Sequence, residues 1–457
     1  MISVLNHLLQ LNGNRMRILI LLVSMFFIYS CSSSKTVTRT PVDLKPTTAK
    51  EDKRINRTKG DVDTIYWTEI DRTKDYNQRI EDIDLEKKDR YKISLLIPFE
   101  ISGNKPSDIE APETKLGRMT HYYAGVKLAL QQLEEEGINL DIEVFDAESG
   151  NFNNKLQSCR NSDVIIGPRN KEQLEIVANY GKSNEIPVIS PWLSSRSLAK
   201  ENPYYIQLIP SVRDHYARIV EHVTENYSPD QVILLGRNIR KDRSLIHYIQ
   251  TVAAVVQQNS ETKVFEEFYV DVDSLKEGVE AFDKKFFTDK TTVFILPNYS
   301  FTEDESFVYN CVRKLSGEKG LEDVVLYGMP LLLESDKIKF ELYNNLNMRI
   351  CRSNYVDKSD PTVIEFRELY YNNYYDFPSE EAYKAYDMML FVGRNIYDYG
   401  KKFHYFLDRY ESSLMQTKFD IQKVYKDPES EDFEHIQYLQ NKHLYILSFD
   451  NYRFSKL

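Results

Sequence analysis

Cysteine is scarce in this chain. Only Cys31, Cys159, Cys311 and Cys351 occur in 457 residues. Apart from Cys31, which belongs to an N-terminal segment of its own, three remain. An odd number allows at most one internal pair and excludes a disulfide-built scaffold. Cys311–Cys351 is the pair that an oxidising compartment would permit, and the plainer reading is buried free thiols. Positive charge is in deficit as well: 59 Lys and Arg stand against 70 Asp and Glu, a formal net charge of -11. That balance argues against nucleic acid and gives no reason to expect an anionic membrane surface as partner. Catalytic spacings are missing too. There is no His-Glu-x-x-His, no Cys pair at zinc spacing and no Gly-x-Ser-x-Gly elbow. Gly181-Lys182-Ser183 has the tail of a phosphate-binding loop, but Ile176 stands where its first glycine belongs. No enzyme activity, cofactor or metal site is therefore expected.

What the chain does have is an ordinary globular composition, with 42% hydrophobic and 28% charged residues and enough length for two or three domains. Its 32 Tyr can fill an interior or present amphipathic rings, with filling the first expectation. Near the N-terminus, "NRMRILILLVSMFFIYSCSSSK" sets Arg15 and Arg17 before an apolar run from Ile18 to Ile28. A run of about a dozen residues is too short to span a bilayer and suits a secretory leader. The small Ser30 before Cys31 resembles the lipobox of bacterial lipoproteins, although Tyr29 is bulkier than usual there. The resemblance implies a signal peptide over 1–30, acylation of Cys31 by chains such as palmitate, and a start at Met1 or Met16. Residues 31–90 then form a polar tether and linker. About thirty of them, rich in Ser, Thr, Lys and Pro, give a reach of roughly 30 Å by flexible-chain scaling.

From Tyr91 the texture changes to alternating strands and helices. "YKISLLIPFE", "LDIEVFDAES", "SDVIIGP" and "IPVISP" read as buried strands, and "GRMTHYYAGVKLALQQLEEEG" and "KEQLEIVANYG" as amphipathic helices. The pattern restarts at "DQVILLG" and runs through "TTVFILP" to "EDVVLYGMP". No short repeat is present. Two α/β lobes follow, each a Rossmann-like layer with a parallel sheet.

The order of these stretches resembles the type I periplasmic binding protein fold of the branched-chain amino acid receptor kind. It covers "KISLLIPF", "YYAGVKLAL", "LDIEVFDAES", "VIIGPRN…IPVISP", "NPYYIQLIPS" and "EEAYKAYDMMLFVGRNI" in sequence, and its lipoprotein-anchored versions occur in bacteria of the Bacteroidetes type. The resemblance implies three crossovers between lobes. Lobe one is placed at 91–208 plus 353–413, and lobe two at 209–352 plus 414–457.

Amino-acid receptors of this fold hold the ligand carboxylate at the helix N-terminus after the Gly-Pro strand, where free N–H groups and the helix dipole suit an anion. An acid from lobe two takes the ammonium. Here the corresponding positions give Arg169, Asn170, Trp192 and Ser194 from lobe one, and Asn298 and Tyr299 from lobe two. The usual serine cluster and the acid in "LYGMP" are missing. This set suits an aromatic, anionic or sugar-like ligand, since Trp stacks and Arg pairs with carboxylates; the competing reading is a vestigial cleft. His121 and His215 read as ordinary helix residues, Asp146 as a turn cap, Tyr386-Asp387 as structural and Glu303–Asp304 as solvated loop charges.

Two functions follow. One is a non-catalytic, lipid-anchored envelope protein that uses the domain as an interaction or regulatory module, on the precedent of an outer-membrane lipoprotein of similar fold that activates a peptidoglycan synthase. The other is a receptor or sensor for an amino acid, peptide or sugar. Ser32 rather than Asp after Cys31, without an acid-rich stretch, implies an outer-membrane lipoprotein whose domain faces the periplasm. Expected partners are the membrane, through the lipid anchor, and an envelope protein or small ligand.

Overall fold

A computed structural model describes residues 85–99, 114–195, 198, 200–258, 263–282, 284–409, 412–425 and 436–457. Cys31, the leader and the tether up to residue 84 lie outside the described residues. The chain first lays down β1 (Tyr91–Ile97), α1 (Lys115–Glu135), β2 (Leu140–Asp146), α2 (Phe152–Ser158), β3 (Val164–Ile166), α3 (Lys171–Asn184), β4 (Val188–Ser190) and β5 (Tyr205–Gln207). It then builds α4 (Val212–Asn226), β6 (Val232–Arg237), α5 (Arg240–Val256), β7 (Glu266–Val270), β8 (Thr292–Leu296), α6 (Phe301–Glu318) and β9 (Val324–Gly328). The short helices α7 (Leu331–Glu334) and α8 (Phe340–Asn345) lead to β10 (Arg349–Arg352). Helices α9 (Pro361–Tyr374) and α10 (Glu380–Tyr399) follow, then the small pair β11 (Ser412–Ser413) and β12 (Lys418–Phe419). Strands β13 (Ile421–Tyr425), β14 (Ile436–Asn441), β15 (Tyr445–Asp450) and β16 (Arg453–Lys456) close the chain.

Two seven-stranded sheets result, ordered β13-β14-β5-β4-β3-β1-β2 and β16-β15-β10-β9-β8-β6-β7. Strand alternation explains their two-sided burial. In the first sheet Ile93, Leu95, Ile97, Val164 and Ile166 face α1 and α10, while Leu96 and Ile165 face Leu174 and Val177 of α3. In the second, Ile233, Leu235 and Phe294 face one layer, and Val232, Leu234, Val293 and Ile295 the other. The two-lobed α/β reading with three crossings therefore holds.

The third crossing falls later than expected. Residues 414–457 do not lie wholly in lobe two, because β14 adds to the first sheet parallel to β5, with Leu439 opposite Ile206. Ile436 and Leu439 pack into the core of lobe one. Only from β15, which runs antiparallel to β10, does the chain return to the second sheet. The thiols of Cys311 and Cys351 are free and buried. They sit in the two separate apolar layers of lobe two, so no pair forms.

Helices α1 and α10 approach closely at Gly125, where an added Cβ would stand 2.1 Å from the Ala382 carbonyl oxygen. Only a residue without a Cβ permits that contact. Gly125→Val is expected to lower stability by about 3 kcal/mol, since neither backbone can yield without disturbing its helix. A fall in urea midpoint checks this, with Gly317→Ala, which meets nothing within 4 Å, as the unaffected control.

Candidate functional site

In each sheet the chain leaves one strand toward a neighbour on one side and later returns to the other side. The crevice this opens at the carboxyl ends of the strands is where open α/β sheets bind ligands. It lies between β1 and β3 in lobe one and between β6 and β8 in lobe two.

On the lobe-one side, Gly167 follows β3 at φ +87, and a Cβ there would meet the Leu96 carbonyl oxygen at 2.5 Å. Glycine is thus required for the turn that leads to α3. Arg169 and Asn170 come next and are both exposed. Asn170 caps α3, its side-chain oxygen accepting from the Gln173 N–H at 3.1 Å. After β4, the Trp192 ring lies 4.7 Å from that of Tyr122, and its indole N–H donates to Glu381 Oε2 at 3.2 Å. Ser194 Oγ accepts from Gln207 Nε2 at 3.2 Å, while Gln207 Oε1 accepts the Ser195 N–H at 2.9 Å. Trp192 and Ser194 are thus tied to their own lobe.

On the lobe-two side, β8 ends at Leu296 and Pro297 follows, its carbonyl accepting from the Tyr216 hydroxyl at 2.8 Å. Asn298 follows at 2% exposure, and neither its side-chain oxygen nor its nitrogen has a partner among the described residues. Tyr299 is exposed, with Lys241 Nζ 5.5 Å from its ring centre. The crevice between β6 and β8 is filled by charge. Arg237 reaches Asp242 at 2.8 Å and Asp304 at 2.5 Å. Lys241 joins Asp304 at 3.0 Å and Glu303 at 2.6 Å. Burial alone would raise the Asp304 carboxyl, but Lys241, the Ser300 N–H and Arg237 together hold it below the usual range. The expectation of solvated loop charges fails for Asp304. It lies in the first turn of α6 at 0% exposure, because its cations arrive from β6 and α5.

The structure therefore gathers Arg169, Asn170, Trp192 and Ser194 at the ends of β3 and β4, and Asn298 and Tyr299 at the end of β8. No hydrogen bond or ring contact among the described residues joins the first four to the last two. Sequence reading missed Arg237, Lys241 and Asp242. The available signal was Ser300-x-x-Glu303, a helix-start spacing in which Ser300 Oγ accepts the Glu303 N–H at 3.3 Å.

The sequence profile of the receptor family ligand binding region matches residues 122–397, more than half of the chain. The chain belongs to that family. A putative branched-chain amino acid ABC transporter protein from Rhodospirillum rubrum is similar in structure at 15% identity. The likeness covers 80% of this chain and 99% of that one, with a TM-score of 0.52. LpoA from Haemophilus influenzae is similar at 9% identity over 81% of this chain and 59% of that one, TM-score 0.51. An ABC transporter substrate-binding protein from Desulfitobacterium hafniense, in complex with Leu, matches at 12% identity over 80% of this chain and all of that one, TM-score 0.48. Such low identities show the fold alone. No curated protein matches.

In this receptor-family domain the crossings are fastened by buried carboxylates. Asp214, in the first turn of α4, accepts from the Ser211 N–H at 2.6 Å and from Gln440 Nε2 at 2.6 Å, and pairs with Lys442 at 2.6 Å. It thereby joins the first crossing to the third. Burial pushes Asp214 up, and the ammonium of Lys442 with the Ser211 donors outweighs it, leaving the carboxyl below its usual value. Beside it a cavity of about 310 Å³ is lined by Arg218, Glu221, Asp420 and His443. At the second crossing, Tyr355 donates its hydroxyl to the Phe454 carbonyl of β16 at 2.6 Å and its N–H to the Gln416 carbonyl at 3.0 Å. Gln416 is held in turn by Asp387 of α10, whose carboxylate accepts the N–H groups of Met415, Gln416 and Thr417 at 3.2, 2.7 and 2.8 Å. His215 donates from Nδ1 to the Ser211 carbonyl at 2.9 Å. His121 accepts at Nδ1 from the Tyr370 hydroxyl at 2.9 Å. Asp146 accepts the Glu148 N–H at 3.1 Å.

Proposed function

We propose that this receptor-family domain works without catalysis as an interaction or regulatory module of the cell envelope, carried on an acylated Cys31 at the outer membrane and facing the periplasm. One observation carries the reading: the lobe-two crevice is closed on itself. Asp242 and Asp304, both at 0% exposure, are taken up by Arg237 and Lys241. No carboxylate of that pair is left for a ligand ammonium. Across the cleft, Trp192 spends its indole N–H on Glu381 of its own lobe. A module of this kind presents its surface to an envelope protein.

The receptor reading has one observation of its own. Asn298 buries two unpartnered polar atoms, a cost of about 1–3 kcal/mol that a small ligand would relieve. A thermal-shift screen of the protein with amino acids, peptides, sugars and peptidoglycan fragments separates the two. A ligand at 100 times its Kd adds about 2.7 kcal/mol of stability. The module reading expects no shift across the library. A shift abolished by Asn298→Ala or Arg169→Ala would replace it with a solute receptor.

A further inference from the structure

Helix α9 is apolar on two separate faces. Val363, Phe366 and Tyr370 are buried against α1 and α10, which accounts for one. The other carries Ile364, Tyr371 and, at the helix end, Tyr375, spaced by seven and four residues and therefore on one side of the helix. These are exposed, Tyr375 at 82%, and Phe377 just beyond stands 61% exposed. The rings are already arranged. Tyr371 lies 6.3 Å from Tyr375 and 5.6 Å from Phe377 between ring centres. A surface helix needs one apolar face; a second, aromatic one marks a contact surface, and Tyr is enriched where binding energy concentrates.

What would cover this face is indicated by its charge. Alongside it, a groove of about 320 Å³ between α1 and α9 has Leu128 and Leu369 in its floor, and Glu135, Glu365 and Glu368 among its lining residues. The last turn of α9 contains no basic residue, so the negative end of its dipole is unneutralised beside Tyr375. Of the nearby cations, Arg367 lies over Phe377 and Lys127 over Tyr374, each engaged with a ring. The opening is edged by carboxylates and side-chain amides around its two leucines.

We infer that the outer face of α9, with the α1–α9 groove, docks a basic amphipathic helix of a partner protein. The partner's apolar stripe lies on Tyr371, Tyr375 and Ile364, and its Lys or Arg side chains reach Glu365, Glu368 and Glu135. This inference rests on the interaction-module reading and assigns it a surface away from the inter-lobe cleft.

The test uses the full chain and two synthetic 18-residue helical peptides with the same leucine stripe. One carries lysine at the polar positions and the other glutamate. Fluorescence anisotropy is expected to show binding of the lysine peptide alone. Tyr371→Ser/Tyr375→Ser and Glu365→Lys/Glu368→Lys should each weaken it at least tenfold, and all four positions are exposed, so the melting curve stays that of the parent. Unchanged affinity in both double variants, or equal binding of the two peptides, overturns the assignment. So does a dimer in sedimentation that the tyrosine substitutions dissolve, since a second copy then covers the face. The failures are distinguishable: a cleft ligand found in the thermal-shift screen sinks the module reading itself, whereas a silent screen with no peptide binding sinks only this surface.

Discussion

Arg237→Met is expected to cost this protein about 3–5 kcal/mol of stability. The guanidinium serves Asp242 and Asp304 together, and both carboxylates are fully buried. Its loss leaves two acids in a low-dielectric crevice, with Lys241 and the Ser300 N–H on Asp304 and a single backbone N–H, that of residue 237, on Asp242 to offset them. Lys241→Met, removing a partly exposed ammonium, should cost no more than about 1 kcal/mol. The pH dependence separates this account from simple loss of packing. In the parent, Asp304 is held below the usual carboxylate value, so its contribution is present above that range and is lost as pH falls through the depressed value. Without Arg237, Asp304 keeps Lys241 and the Ser300 N–H but loses one of the groups that hold it down, so its carboxyl moves back toward the usual range. The gap between parent and variant should therefore narrow as the pH falls from 7 into the carboxylate range. Urea unfolding across that interval reads both results, and a penalty independent of pH would refute the electrostatic account.

Asp387→Ala is expected to have the second largest effect, about 3 kcal/mol or more. The substitution removes at once the acceptor of three backbone N–H groups in the turn between β11 and β12, those of Met415, Gln416 and Thr417. Asp387→Asn tests the charge separately, because it keeps one carbonyl oxygen and cannot titrate. Burial pushes the Asp387 carboxyl up to about 7 against the pull of its three donors. A folded value above the unfolded one means that the folded state holds the proton more tightly. The stabilisation is therefore complete below the ordinary carboxylate range and is lost as pH rises toward and through about 7. Between pH 4 and pH 7 the parent should lose stability relative to Asp387→Asn. Parallel pH profiles would show that Asp387 does not titrate in this window.

Local patterns carried much of this fold. The continuous apolar run Val164–Ile166, stopped by Gly167-Pro168 before an amphipathic stretch, announced a buried parallel strand leading to a helix, and both are present. The terminal strands were harder to assign. "IQKVY" and "IQYLQN" fall in the stretch assigned whole to lobe two, and nothing in their alternation says whether β14 should pair with β5 or with β10. That choice is made by contacts more than two hundred residues away in sequence. The site divided the same way. Asn298 could be located from the order of elements, whereas the burial of Asp304 depends on Arg237, 67 residues distant. A solvated acidic pair and a buried one look alike when the cation is remote. The aromatic face of α9 was hidden for a related reason: thirty-two tyrosines look like core material until the helix shows which side is already full.

The late return of the chain to lobe one also sets an order of assembly. Lobe two, from α4 to β10, is nearly continuous and can close soon after it is made. Lobe one cannot. Its first five strands are complete by Gln207, yet α10, the second of the two helices that cover one face of them, begins only at Glu380. At roughly 5–20 residues per second of synthesis, that layer waits on the order of ten seconds or more for its cover to be completed. Throughout that interval Ile93, Leu95 and Ile166 have only α1 to cover them. The nascent chain is then a natural client for chaperones, and a protein with such a history depends on its folding helpers more than its finished stability would suggest.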